Sequence, residues 1–123
     1  MQVLQVYAKV YPYLPLSRLG LDLYKQQCYC ITHLLLALSS YGALSLPKRL
    51  FQSEVKFIRD ALKEVIRLSD PELVGEFVDC LLILGSPKTD PDVILGRTYL
   101  IKQVRALTII PSSSHQPQSI SRC

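Results

Sequence analysis

The chain has 123 residues, of which 49% are apolar, and it carries a formal net charge of +4. This length is enough for one domain with a hydrophobic core, and the apolar content excludes a disordered chain. The small positive charge favours solubility over nucleic-acid binding.

The first residues show no basic stretch ahead of an apolar run, so the sequence predicts no secretory signal. The most apolar stretch, residues 28–38, has about half the length of a membrane span and contains His33, so no span is predicted. The four cysteines form no Cys-x-x-Cys pair. Thiols without a signal are typical of a reducing compartment, and we expect a cytoplasmic protein.

Residues 1–15 are rich in tyrosine and proline, and they predict an irregular N-terminal segment, followed by a helix over about 16–25. A second helix is predicted over 26–41, where apolar residues recur at helical spacing and also fill the other side, as in a buried helix. Gly42 is expected to end it, because glycine commonly follows a helix C-terminus.

The clearest amphipathic pattern lies over residues 47–68 and predicts a surface helix. Its apolar stripe consists of Phe51, Val55, Ile58, Leu62 and Val65. A basic row runs beside the stripe and consists of Lys56, Arg59, Lys63 and Arg67. Three acids are expected on the far side, in a solvated face of mixed charge: Glu54, Asp60 and Glu64.

A short phrase then occurs twice, because Asp70-Pro71-Glu72 is followed twenty residues later by Asp90-Pro91-Asp92. In each phrase the first aspartate can cap a helix, the proline needs no N–H there, and the next acid lies at the positive end of the helix dipole. Two helix starts at this distance leave room for one helix of about fourteen residues and a turn, which is the pattern of paired helices.

The helix over 71–84 is apolar around more than half of its circumference, so we expect it to form an inner, buried pair with the helix over 26–41. Its polar side is a narrow acidic strip of Glu72, Glu76 and Asp79. The next helix is predicted from 91 to about 104, and one stripe of it carries Val93, Leu100 and Val104. Residues 109–123 are polar and of low complexity, and they predict a disordered tail.

Zinc-binding residue types occur in the helix over 26–41. Cys30 and His33 share one side of that helix, whereas Cys28 points away from them. A fourth ligand would come from a distant position, namely Cys80, His115 or Cys123. Because this spacing matches no familiar zinc site, we favour buried thiols and a hydrogen-bonded histidine, and we predict no metal and no cofactor.

The acidic strip offers carboxylates to His33. If the two buried helices pack together, Glu76 or Asp79 can meet the imidazole, in a pair suited to general acid–base catalysis. The same geometry suits an inert pair that fixes helix packing, because a buried carboxylate requires a partner. We favour the structural pair, and His33, Glu76 and Asp79 are the candidate catalytic residues. A strip that faces solvent or a cavity is the third interpretation.

The basic row, with Lys48 and Arg49 at its head, has the charge to follow a phosphate backbone. Acids lie on the same helix, however, and no aromatic residue interleaves with the row for base stacking, so nucleic-acid binding is not expected. The chain also lacks the patterns of a serine nucleophile elbow, a phosphate-binding glycine loop and an HExxH site.

Four phrases between residues 30 and 103 form a pattern together: Thr32-His33, Ser40-Tyr41-Gly42, residues 70–77 and residues 96–103. This pattern resembles bacterial α/α-toroid proteins, which are related in style to terpenoid cyclase and prenyltransferase barrels. In the toroid family, a phrase of the type G-x-x-[FY]-L-x-x-x-Q-x-x-x-G-x-W ends one helix and begins the next. Gly96, Tyr99 and Leu100 match it, but Gln103 is one position early, Val104 stands in its place, and no Gly-x-Trp follows. The acidic motif of the cyclases is missing as well.

The resemblance implies stacked helix pairs with a binding groove at their inner ends, and it transfers no catalytic residue to this chain. A complete toroid needs many more helices than the four or five predicted here. We therefore expect a fragment, a short relative or an assembly piece, and the change of composition after Gln103 suggests a truncated or frame-shifted product.

The sequence thus predicts an all-α domain over residues 16–108, with antiparallel helix pairs stacked as a partial α/α toroid or a short helical array. An incomplete array leaves one apolar face uncovered, so we expect a protein partner or self-association there. The leading function is a non-catalytic helical interaction or scaffold module. The alternative is a fragment or subunit of a terpenoid cyclase-like or prenyltransferase-like enzyme that binds an apolar substrate.

Overall fold

Five α-helices and one short 3-10 turn form the part of the chain that the computed structural model describes, residues 13–109 with side chains to residue 107. In chain order the helices are α1 (Leu16–Leu19), α2 (Leu21–Leu38), α3 (Gln52–Arg67), α4 (Pro71–Ile83) and α5 (Pro91–Ile109). These residues include no strand, which confirms the predicted all-α class. The toroid arrangement stays a prediction. The expected N-terminal segment and C-terminal tail lie largely in residues 1–12 and 110–123, outside the described residues.

Helix α4 lies at the centre of the fold, because it packs against α2, α3 and α5. Its buried side chains cover most of its circumference: Leu73, Val74, Phe77, Val78, Cys80, Leu81 and Ile83. A fully buried apolar side chain of the larger kind contributes about 1.5–3 kcal/mol to folding. The burial predicted for residues 71–84 is therefore confirmed.

Helix α2 is not the second inner helix, so this part of the predicted inner pair is wrong. It buries one stripe, which consists of Tyr24, Cys28, Ile31, Thr32 and Leu35. Cys30, His33 and Leu38 are exposed on its other sides. The physical reason is that apolar residues all round a helix permit burial on every side but do not supply neighbouring helices to bury them. No other described element packs on the outer side of α2.

The limits of α2 also differ from the prediction. The helix begins at Leu21, directly after Gly20, whose positive φ of 84° separates it from α1. It ends at Leu38 because the Ser39 hydroxyl donates to a carbonyl of the last turn at 3.1 Å and accepts the Gly42 N–H at 3.0 Å. Tyr41 has φ 57° in the resulting turn, which a helix cannot contain.

Helix α3 buries the predicted apolar stripe, but the predicted exposure of one acid, Glu54, is wrong. Glu54 is only 2% exposed, and its Oε2 accepts a hydrogen bond of 2.5 Å from the Tyr13 hydroxyl. The Tyr13 ring packs on Phe57, with 5.2 Å between ring centroids. The segment before α1 therefore covers this side of α3, which the pattern of residues within α3 could not show.

Helix α5 approaches α4 closely at Gly96. A Cβ atom at this position would lie 2.4 Å from Cγ2 of Val78, and Val74 is also in contact range. A larger residue would require the Val78 side chain to move, and the glycine lets the backbone of α5 pack directly on the valine side chains of α4.

The repeated phrase forms two helix caps, as predicted. The Asp70 carboxylate accepts the Leu73 N–H at 3.1 Å at the start of α4. The Asp90 carboxylate accepts the Asp92 N–H at 2.8 Å at the start of α5. Each aspartate thus satisfies a backbone donor that the first turn of a helix leaves without a partner.

Each capping aspartate also forms an ion pair with a basic residue of an earlier helix: the start of α4 pairs with α2, and the start of α5 pairs with α3. Lys25 of α2 lies 2.9 Å from Asp70, and Arg59 of α3 lies 2.7 Å from Asp90. The repeat is therefore an architectural device, because each phrase starts one helix and fixes another against it.

Candidate functional site

A polar seam joins α2 to α4, and it contains two of the three candidate catalytic residues. It consists of Tyr29, Thr32 and His33 on α2 and Glu72 and Glu76 on α4. The Thr32 hydroxyl donates to Oε1 of Glu76 at 2.5 Å, and the Tyr29 hydroxyl donates to Oε1 of Glu72 at 3.1 Å. Both helices advance in the same direction along the seam, so successive pairs fix their register.

The seam favours a structural role over acid–base catalysis. His33 Nε2 lies 3.8 Å from Oε1 of Glu76, which is too long for a hydrogen bond, and the imidazole is 65% exposed. The same Glu76 oxygen already accepts a hydrogen bond from the hydroxyl group of buried Thr32. Desolvation and neighbouring acids raise the pKa of Tyr29 to about 12, so this phenol stays a hydrogen-bond donor at neutral pH.

Asp79, the third candidate, is exposed and has a different environment. Desolvation raises the pKa of its carboxyl group, and the Arg97 guanidinium of α5 partly offsets that effect. The structure therefore brings His33 near Glu76, but it does not assemble all three candidates into one site.

The cysteines considered as zinc ligands are separated by the fold. Cys28 and Cys80 are fully buried, whereas Cys30 is exposed. Burial raises the pKa of both buried thiols to about 12, so both are protonated at neutral pH. Within the described residues no group of three or more His, Cys, Asp and Glu side chains could hold a metal ion. His115 and Cys123 lie outside those residues.

Lys56, Lys63 and Arg67 of the basic row are exposed, as a solvated face of mixed charge requires, but Arg59 is half-buried against carboxylates of another segment, so the predicted solvated face is wrong at that residue. Arg59 donates to Asp90 at 2.9 and 2.7 Å and to Asp92 at 2.6 Å. Lys63 lies 3.3 Å from Asp92. These hydrogen bonds from Arg59 hold the pKa of Asp90 at about 2, so the aspartate is charged at neutral pH.

The rest of the row pairs within α3 itself. Lys56 lies 3.1 Å from Asp60, and Arg67 pairs with Glu64. A shallow groove of about 290 Å³ lies beside the row and opens to solvent; it is lined by Lys48, Gln52, Val55, Lys56, Arg59 and Asp60. Because its charged side chains include the paired Lys56, Asp60 and Arg59, the groove does not present a set of uncommitted cations to a phosphate group.

Five of the ten large apolar side chains that are exposed within residues 13–107 belong to α5. Helix α5 has 19 residues and α4 has 13, so α5 is about 9 Å longer than α4. Ile101, Val104 and Leu107, in the last part of α5, are 51%, 59% and 70% exposed, and we call them the α5 face.

The α5 face continues a stripe that is buried closer to the start of the helix. Val93 is fully buried, Leu100 is half-buried, and Val104 is exposed, although the three share one side of α5. The predicted stripe is therefore present, but its side chains become exposed toward the end of α5. The helix also continues to Ile109, beyond the expected end near Val104.

Comparison of the chain with protein families, with curated proteins and with solved structures finds no match. The toroid resemblance accordingly stays a prediction. None of the helices formed by residues 13–109 is long and apolar enough to cross a membrane.

Proposed function

We propose that this chain is a non-catalytic helical interaction module that binds another protein through the α5 face. The observation that carries the proposal is the continuity of one apolar stripe, which is fully buried at Val93 and exposed at Val104 and Leu107. Exposed apolar surface at helical spacing is a common property of helix-binding sites. A helix from a partner that extends the line of α4 would cover the stripe.

The remaining polar features support architecture in this proposal. The seam and the two Asp-Pro caps tie neighbouring helices together, and their charged groups bind each other. The same proposal includes a cytoplasmic location and an origin as a piece of an α/α toroid. The toroid origin fits the α5 face, because the loss of neighbouring helix pairs leaves an apolar face of this kind uncovered.

The contacts of residues 13–107 do not favour the alternative of an enzyme fragment, and one substitution separates it from the module. Glu76→Ala removes the shorter hydrogen bond of the buried Thr32 hydroxyl, which then keeps only the Tyr29 carbonyl at 3.2 Å, so we expect the free energy of unfolding to fall by about 0.5–1.5 kcal/mol. His33→Ala is expected to change it by less than about 0.5 kcal/mol, because that side chain is exposed. Urea unfolding measures both. An unchanged stability in Glu76→Ala would favour a functional role for the carboxylate.

Photo-crosslinking in cells of the source organism tests the proposed binding surface. A photoreactive residue replaces Ile101 in one variant and Leu23, an exposed leucine of α2, in the control variant. We expect a discrete protein adduct from position 101 that disappears when Val104→Asp is added. Equal adducts from both positions, or an adduct that persists with Val104→Asp, would contradict the proposal.

A further inference from the structure

We infer that the partner of the α5 face is an acidic amphipathic helix, an inference that rests on the proposed function. The distribution of charge along the chain carries it. All ten acidic residues precede position 93, whereas four of the fourteen basic residues follow it. The whole formal net charge of +4 therefore resides in residues 93–123, and the part of the chain before them is neutral.

Basic residues of α5 flank the α5 face along one edge. Arg97 lies one turn before Ile101 on the same side of the helix, where its charge also acts on Asp79 of α4, and Lys102 and Arg105 are exposed in the last part of α5. Charges around an apolar centre select a partner of opposite sign and suppress one of the same sign. A helix with acids beside its apolar stripe meets both requirements of this surface.

A second copy of this chain is a poor match for the same surface. Two α5 faces would bring their basic residues together, which is unfavourable. Most carboxylates of the chain already bind a group of their own chain: Glu54, Asp60, Glu64, Asp70, Glu72, Glu76, Asp90 and Asp92. Asp22 and Asp79 are the exposed acids outside that set.

The shape of the α5 face favours a helix over an anionic membrane. Its apolar residues occupy one stripe at three-residue spacing, with half-buried Gln103 beside them. Such a stripe is as wide as the seam between two helices, whereas a helix that lies in a membrane interface presents a broad apolar side. The first half of α5 is also held against α4 and cannot turn its buried side outward.

Two synthetic peptides test the inference with the full-length chain. Both are helices of about five turns with the same leucine and alanine stripe, and they differ only in carrying glutamate or lysine beside it. Isothermal titration measures binding. We expect the acidic peptide to bind at least about tenfold more tightly than the basic one, with a preference that weakens as salt is added.

Three variants show where the acidic peptide binds. Leu107→Asp is expected to abolish binding, and Lys102→Glu is expected to weaken the preference for the acidic peptide, because Arg97 and Arg105 remain. Lys88→Glu is the matched control, because Lys88 is an exposed lysine in the turn before α5, and it should leave the preference unchanged. Thermal unfolding confirms that each variant is folded, since all three positions are exposed.

The other outcomes separate this inference from the proposed function. Equal binding of both peptides that is lost with Leu107→Asp would overturn the acidic partner and leave the interaction module intact. Binding of phosphatidylserine vesicles but of neither peptide would overturn both. Binding of neither peptide and no vesicles overturns the acidic helix alone, because photo-crosslinking tests the module independently.

Discussion

Replacement of Asp90 by asparagine removes one charge at the start of α5 while it keeps an oxygen that can cap the helix. In the native protein the two Asp90 oxygens accept the Arg59 guanidinium at 2.9 and 2.7 Å, and the Asp90 side chain is only 10% exposed. The pKa of Asp90 falls from 3.8 to about 2, mainly through these hydrogen bonds. A depression of this size corresponds to about 2 kcal/mol of stability at neutral pH.

The expected loss in Asp90→Asn is about 1–2 kcal/mol at pH 7, because Arg59 keeps its bond to Asp92 and is itself partly hydrated. The pH dependence has a defined sign. Since the pKa of Asp90 is lower in the folded protein than in the unfolded chain, its charge stabilises the fold above pH 3.8, and the contribution is lost as the pH falls toward 2. The difference between the two proteins should therefore be constant from pH 7 to about 5 and shrink below about 4.

Urea unfolding followed by circular dichroism at several pH values measures this difference. Asp60→Asn is the matched control, because Asp60 also binds a basic side chain but both partners are more than two-thirds exposed, and it should change stability by less than about 0.5 kcal/mol. The reasoning is refuted if Asp90→Asn is as stable as the native chain at pH 7. It is also refuted if the deficit persists unchanged below pH 4.

Two further predictions concern glycines and thiols. Gly96→Ala should destabilise the fold by about 1–3 kcal/mol, because the new methyl group would overlap a valine of α4. Gly75→Ala should stabilise the fold by about 0.5–1 kcal/mol, because a methyl group there meets nothing within 4 Å. Thermal unfolding distinguishes the two variants, and equal effects would contradict the packing of α5. In a variant whose C-terminal cysteine is replaced by serine, a thiol reagent at pH 8 should modify exposed Cys30 rapidly, and Cys28 and Cys80 only after unfolding. The reason is that burial raises the pKa of Cys28 and Cys80 to about 12. Rapid modification of all three thiols would contradict the burial of these two.

Local chemistry made part of this fold predictable from the sequence. The starts of α4 and α5 follow from Asp70-Pro71 and Asp90-Pro91, because capping depends on a few adjacent residues. The apolar stripe of α3 and the burial of α4 follow from helical periodicity.

Features that depend on distant partners could not be predicted. Glu54 is buried because Tyr13 reaches it from another segment, and Arg59 is held by acids more than thirty residues away. The exposure of Val104 depends on how far other helices cover α5, which periodicity within α5 does not contain.

The pairing of His33 with Glu76 shows the same limit at the candidate site. Periodicity placed both residues on facing helices, but the distance of 3.8 Å and the competing bond from Thr32 depend on how α2 sits on α4. The pair that the sequence offers for acid–base chemistry therefore lies beyond hydrogen-bond distance in the fold, and its carboxylate binds Thr32.

Hydrogen exchange of the full-length chain, read by mass spectrometry, is the most direct test that the α5 face is an uncovered surface. We predict rapid exchange of the main-chain amides of residues 101–107 in the isolated chain, slow exchange in α4, and strong protection of 101–107 when the acidic peptide is added. Exchange of 101–107 as slow as that of α4 in the isolated chain would contradict the account, because it would show that the stripe is already covered.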